Sequence, residues 1–149
     1  MADSQYLWFL HADSVPCAST LASAIAFAKQ NQAFLGWFRL AFSSDGPALT
    51  ALNAMGANLR SRWLGLPYGD QGLIVPSTWF RQLGGYREDL KRGEDLDFVV
   101  RAKRAGLALK ALDGTIMTSA RRYARQGWLA TSCQHQWAAL KLIQQARRQ

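Results

Sequence analysis

Five bulky apolar residues in a row, Tyr6-Leu7-Trp8-Phe9-Leu10, run straight into His11-Ala12-Asp13, and no other stretch limits the available folds as much. An apolar run without alternation suits a strand buried on both faces, as in a sheet covered by helices on each side. The polar triplet marks where that strand leaves the core. Open α/β sheets bind ligands at the carboxyl ends of such strands, where an acid meets a ligand without being buried unpaired. Asp13 is therefore the first candidate for chemistry; the alternative is that Asp13 and Ser14 only cap the helix that follows.

A length of 149 residues suits one domain with a real core, spanning residues 1–149. Lys and Arg number 18 against 10 Asp and Glu, a net charge of +8, which favours polyanionic partners: nucleotide phosphates, nucleic acid or an anionic membrane face. Cys17 and Cys133 are isolated thiols, and with His11 and His135 they make no zinc set. A reduced, cytoplasmic protein is expected. The first residues lack the positive region and apolar run of a secretion signal, and no stretch reaches transmembrane length.

Strands and helices alternate along the chain, which makes the expected class α/β. Pro16 fits the first turn of a helix that continues from Ala18 to Lys29 with Leu21, Ile25 and Ala28 on one face. Phe34 to Phe42 reads as a dense aromatic strand in which Arg39 is the sole charge. A second helical pattern runs from Ala48 to about Leu64, with Leu49, Leu52, Met55 and Leu59 at spacings of three and four. Arg60 and Arg62 in its last turns complement the helix dipole. After the turn-like Tyr68-Gly69-Asp70-Gln71-Gly72 comes a short apolar strand at Leu73-Ile74-Val75. Ser77 is placed to cap a short helix, Thr78 to Leu83. Gly93-Glu94-Asp95-Leu96-Asp97 opens another helix carrying Phe98, Val99, Ala102 and Ala105 and closed by Gly106. Acids in that first turn are stabilised by the dipole, and Asp97 is spaced to pair with Arg101. Asp113-Gly114 predicts a tight hairpin between Leu107–Leu112 and Thr115–Thr118. A basic cluster follows, and residues 127–149 read as a basic amphipathic helix.

Taken singly, each acidic site has an ordinary structural role. In order, however, His11-Ala12-Asp13 after a strand, Gly36-Trp37-Phe38-Arg39, Gly69-Asp70-Gln71-Gly72, Gly84-Gly85-Tyr86, Gly93-Glu94-Asp95-Leu96-Asp97 and Thr118-Ser119-Ala120-Arg121-Arg122 resemble the family-two glycosyltransferases of GT-A fold. The likeness is closest to the small bacterial branch found beside radical-SAM or selenium-related genes, and it runs from about Tyr6 to Arg125. It implies a GT-A mixed sheet flanked by helices, and metal-dependent transfer of a sugar, with inversion, from a nucleotide-diphosphate donor to an acceptor hydroxyl. By the same resemblance Asp13 binds the divalent cation, Mn²⁺ or Mg²⁺, with His11 standing where the usual motif has its first acid. Asp95 is the general base and Glu94 its neighbour or an acceptor contact. Gly69, Asp70 and Gln71 line the sugar or acceptor pocket, and Arg121 and Arg122 hold phosphate.

Family members begin with a nucleotide-binding half of roughly 70 to 90 residues that has no counterpart here. The chain thus reads as a truncated form, the carboxyl-terminal two-thirds, expected to be incomplete on its own. The Tyr6–Leu10 strand, mid-sheet in the family, would then expose an apolar edge and drive homo-oligomerisation. The carboxyl-terminal helix suits a peripheral membrane contact, whereas no reading helix or stacking platform supports nucleic acid. The competing reading is a non-catalytic oligomeric module derived from the same fold.

Overall fold

The computed structural model describes residues 4–30, 33–90 and 92–126. Five strands form one mixed sheet with helices on both faces: β1 (Tyr6–Trp8), β2 (Ser14–Pro16), β3 (Phe34–Phe42), β4 (Ile74–Pro76) and β5 (Ala108–Thr118), in the order β1-β4-β3-β5-β2. β3 and β5 run parallel and every other pairing is antiparallel. The carboxyl ends of β1, β3 and β5 therefore share one rim. The helices are α1 (Ala18–Lys29), α2 (Thr50–Leu64), α3 (Ser77–Gln82), α4 (Glu94–Arg104) and α5 (Arg121–Gln126). The α/β class expected from the sequence is the class observed.

Strand alternation divides the core. Leu35, Trp37, Leu73 and Val75 face α4, where Phe98, Val99 and Ala102 close over them. Phe38, Ile74 and Ile116 point the other way and meet Ala24 and Phe27 of α1. α4 starts after Gly93, whose φ of 80° is the left-handed conformation that glycine adopts without strain. Its Asp97–Arg101 pair forms as the spacing predicts, at 2.7 Å. The remaining arginine nitrogens, Nη1 and Nη2, donate to the carbonyls of Leu83 and Gly85.

Several sequence expectations are corrected. The apolar run is a strand only to Trp8; its side chains are half-buried rather than enclosed, and it forms one edge of the sheet. From Trp8 the chain crosses the carboxyl rim to β2 at the opposite edge, turning just before β2, where the Ser14 N–H donates to the His11 carbonyl at 3.0 Å. Pro16 lies in β2 and not in a helix; α1 begins at Ala18. Ser77 is the first residue of α3 and makes no side-chain cap.

The expected hairpin is absent because Ala108–Thr118 is one strand paired with β3 along its length. Asp113-Gly114 forms a bulge there: the register passes from Trp37↔Ala111 to Arg39↔Thr115. Gly114 has φ 123°, and a Cβ on it would lie 2.5 Å from Thr20 Oγ1. That threonine is fully buried and both donates to the Thr115 carbonyl and accepts its N–H, at 2.8 Å each.

α1 and α2 turn to the sheet faces other than those their apolar spacing predicts. α1 buries Thr20, Ala24 and Phe27 and leaves Leu21 and Ile25 exposed. α2 buries Thr50, Ala54, Ala57 and Ser61, while Leu49, Leu52, Met55 and Leu59 face solvent. The reason is close approach. β4 pairs with β3 at Gly36, and beyond it the edge of β3 is served by side chains. Asn58 of α2 accepts the Leu40 N–H at 2.9 Å and donates to the Leu40 carbonyl at 3.0 Å, imitating a neighbouring strand. Small residues let the helix come that near.

Candidate functional site

The segment that crosses the rim lays His11 and Asp13, both exposed, along the strand ends. Asp13 is fixed beside the end of β5, where its carbonyl accepts the Ser119 N–H at 3.3 Å and Thr118 Oγ1 donates to its carboxylate at 3.4 Å. On the other side of the cluster, the short 3₁₀ turn Gly69–Gln71 is bound to the start of α4: the Gly69 N–H donates to Asp95 Oδ2. A Cβ built on Gly69 would lie 2.7 Å from His11 Nε2 and 2.9 Å from Asp95 Oδ2. The imidazole and the carboxylate thus flank one backbone atom, and only glycine leaves room for both.

Asp70 ties the set together. Its carboxyl is pushed up to about 6, first by burial and then by the Asp95 charge; His11 and Arg60 act in the opposite sense, and Asp13 again raises it. Asp13, Asp70 and Asp95 therefore share one electrostatic neighbourhood. Asp70 Oδ1 is sealed from solvent and has no hydrogen-bond partner among the described residues, and the same is true of Tyr68 Oη and Arg60 Nη2. The Arg60 guanidinium lies 3.5 Å from the Tyr68 ring centroid and its Nε donates to the Leu66 carbonyl at 3.1 Å. Burial shifts both away from their charged forms, Arg60 downward and Tyr68 upward.

The structure does not bring every expected residue to this cluster. Gln71 is fully buried and spends its amide inside: Oε1 accepts from Ser61 Oγ at 2.5 Å and from the Tyr68 N–H at 3.2 Å, and Nε2 donates to the Phe38 carbonyl at 3.3 Å. It supports the loop and does not line a pocket. Glu94 is half-buried beside Asp95 at the start of α4, and both raise the phenol of the half-buried Tyr86, after desolvation itself. Arg121 is exposed and engaged locally, with its Nε 2.9 Å from Ser119 Oγ and 3.7 Å from Asp45 Oδ2. Asp45, not anticipated from the sequence, accepts from Ser119 Oγ at 2.6 Å and from the Ala120 N–H at 2.7 Å, and so holds the turn beside Asp13. Arg122 acts on Tyr123, whose phenol also feels Asp70.

Among the described residues no group of three His, Cys, Asp or Glu side chains is gathered as a metal set. The charges of Asp13 and Asp95 nevertheless both act on Asp70 at the rim, and Glu94 precedes Asp95 at the start of α4. A hard divalent cation at this rim would take one or two of these carboxylates and complete its shell with phosphate oxygens and water.

The raised carboxyl of Asp70 has a measurable consequence. Between about pH 4 and 6 the folded state binds a proton that the unfolded chain does not, so this group adds stability as pH falls through that window and subtracts it above. Asp70→Asn is expected to stabilise the protein by about 1 to 3 kcal/mol at pH 7 and to flatten that acid-side rise. Urea titrations of both proteins at pH 7 and pH 4.5 check it; an Asp70→Asn variant less stable at pH 7 would refute it.

In comparisons with known proteins, no family model matches the chain and no curated protein matches it.

Proposed function

We propose that this chain is a glycosyltransferase-like protein of GT-A fold. It takes a nucleotide-diphospho-sugar as donor and transfers the sugar, with inversion, to an acceptor hydroxyl in the cytoplasm. The observation that supports the reading best is the convergence of Asp13 and Asp95 on Asp70 at the carboxyl rim of the sheet, although they are far apart in sequence. In this reading Asp13, with His11 beside it, holds the divalent cation and the diphosphate. The cation, when bound, would neutralise charge on the departing diphosphate.

The chain's own residues supply the rest. Asp95, steadied by the Gly69 N–H, accepts the proton of the attacking hydroxyl, and Glu94 and Asp70 orient the sugars. Arg121 and Arg122 are the donors for phosphate, through forked guanidinium contacts.

The test is a titration of UDP- and GDP-sugars with and without Mn²⁺, on the wild type and on Asp13→Ala. Metal-dependent binding that falls at least roughly tenfold in the variant is expected, the loss typical of a metal-site contact. Absence of binding under all conditions would instead favour the non-catalytic module.

The partner we assign to the β1 edge is a second copy of the chain. Gln5 accepts the Ser77 N–H and Phe9 donates to the Leu73 carbonyl, on either side of β4, so by alternation the backbone of Trp8 is directed outward, toward a strand that would add to this edge. Light scattering at micromolar concentration is expected to give a mass above that of the monomer, and a monodisperse monomer would remove this part of the proposal.

A further inference from the structure

The outer face of α2 is built inside out. Its sheet-facing positions hold Ala54, Ala57 and Ser61, and its solvent face carries Leu52, Met55, Leu59 and Trp63, exposed by 51%, 55%, 38% and 75%. These four recur at spacings of three and four and so form one stripe, about 16 Å long at the helical rise. Gly56, inside the stripe, has nothing among the described residues within 4 Å of its Cβ position.

The charges along the border are mainly positive. Arg62 is exposed next to Trp63, and Lys103 Nζ bonds the Leu64 carbonyl at the helix end. Arg39 stands across a groove of about 1260 Å³ between α2 and the sheet, whose lining also includes Arg62 and, opposed in sign, Asp113.

We propose that this face of α2 is a docking surface for an anionic lipid bilayer. Isolated exposed apolar residues need no explanation, but a continuous stripe with an indole at one end and cations at its margin has the composition of an interfacial helix. The sign of the charge selects the occupant. A second copy of this +8 chain would bring arginine against arginine across the contact, whereas acidic headgroups pair with Arg39, Arg62 and Lys103 while the apolar side chains enter the acyl boundary. The proposal is independent of the sugar-transfer reading, because no residue of the rim cluster takes part.

The experiment is co-sedimentation of the full chain with vesicles of equal parts phosphatidylglycerol and phosphatidylcholine, and with phosphatidylcholine alone. Binding to the anionic vesicles is expected, weakening as salt rises and falling roughly tenfold or more in the double variant Leu52→Glu, Leu59→Glu. Arg62→Glu is expected to weaken it several-fold, and a lipid-induced blue shift of tryptophan emission should shrink in Trp63→Phe. Failure to bind anionic vesicles, or binding indifferent to the double variant, overturns the proposal. So does a double variant that changes the oligomeric state, which would make the face a contact between copies. A fall of several degrees in its melting temperature does the same, because the stripe would then be covered by another part of the chain.

Discussion

Asp95→Asn is expected to leave donor binding within about twofold of wild type and to reduce sugar transfer by 10² to 10⁴, the usual contribution of a positioned general base. The separation follows from what each oxygen does. Asp95 Oδ2 accepts the Gly69 N–H, and an asparagine carbonyl oxygen can do the same, so the loop bearing Asp70 stays in place. The amide cannot take the acceptor's proton. Turnover of the nucleotide sugar, read as kcat against KM, distinguishes the two roles. A loss shared equally by binding and turnover would mean that the residue only fastens the loop, and unchanged turnover would exclude it as the base.

The largest loss of stability is expected from Arg101→Ala. The guanidinium serves three acceptors at once: Asp97 Oδ2 at 2.7 Å and the carbonyls of Leu83 and Gly85. Asp97 is only 7% exposed, and the other nearby cation among the described residues, Arg87, stands 3.9 Å away. Truncation leaves a buried carboxylate and two carbonyls short of donors, a cost of about 2 to 4 kcal/mol. For a domain of this size that is a drop of roughly 5 to 15 °C in Tm. Arg101→Lys should recover only part of it, because an ammonium cannot reach all three acceptors in the planar fork. Calorimetry of the two variants decides, and a loss under about 1 kcal/mol in the alanine variant would show that water replaces the clamp.

The order of strands and helices was legible because its signals are local. The aromatic run from Phe34 to Phe42 became β3, and Gly65, left-handed at φ 61°, ends α2 as glycines do. What a residue faces is not a local property. The periodicity of α2 placed its leucines inward, but the strand edge it had to serve demanded a polar amide and small neighbours, so the large side chains went outside. Asp113-Gly114 carried a hairpin signal, yet the same glycine freedom was used for a bulge beneath Thr20. The acids of the candidate site could be picked out by their positions after strands and at a helix start. Arg60 looked like a cation answering a helix dipole, and no sequence pattern marks it as the lid on the Tyr68 ring. Asp45 likewise reads as a turn residue until the fold sets it against Ser119.

The buried amide of Gln71 joins three parts of the molecule: the Phe38 carbonyl of the sheet, Ser61 and Asn58 of α2, and the Tyr68 N–H of its own turn. Gly69 and Asp70 accordingly sit on a tripod and not on a pliant loop. Such a mounting sets their coordinates before any ligand arrives, so little ordering entropy remains to be lost when one does.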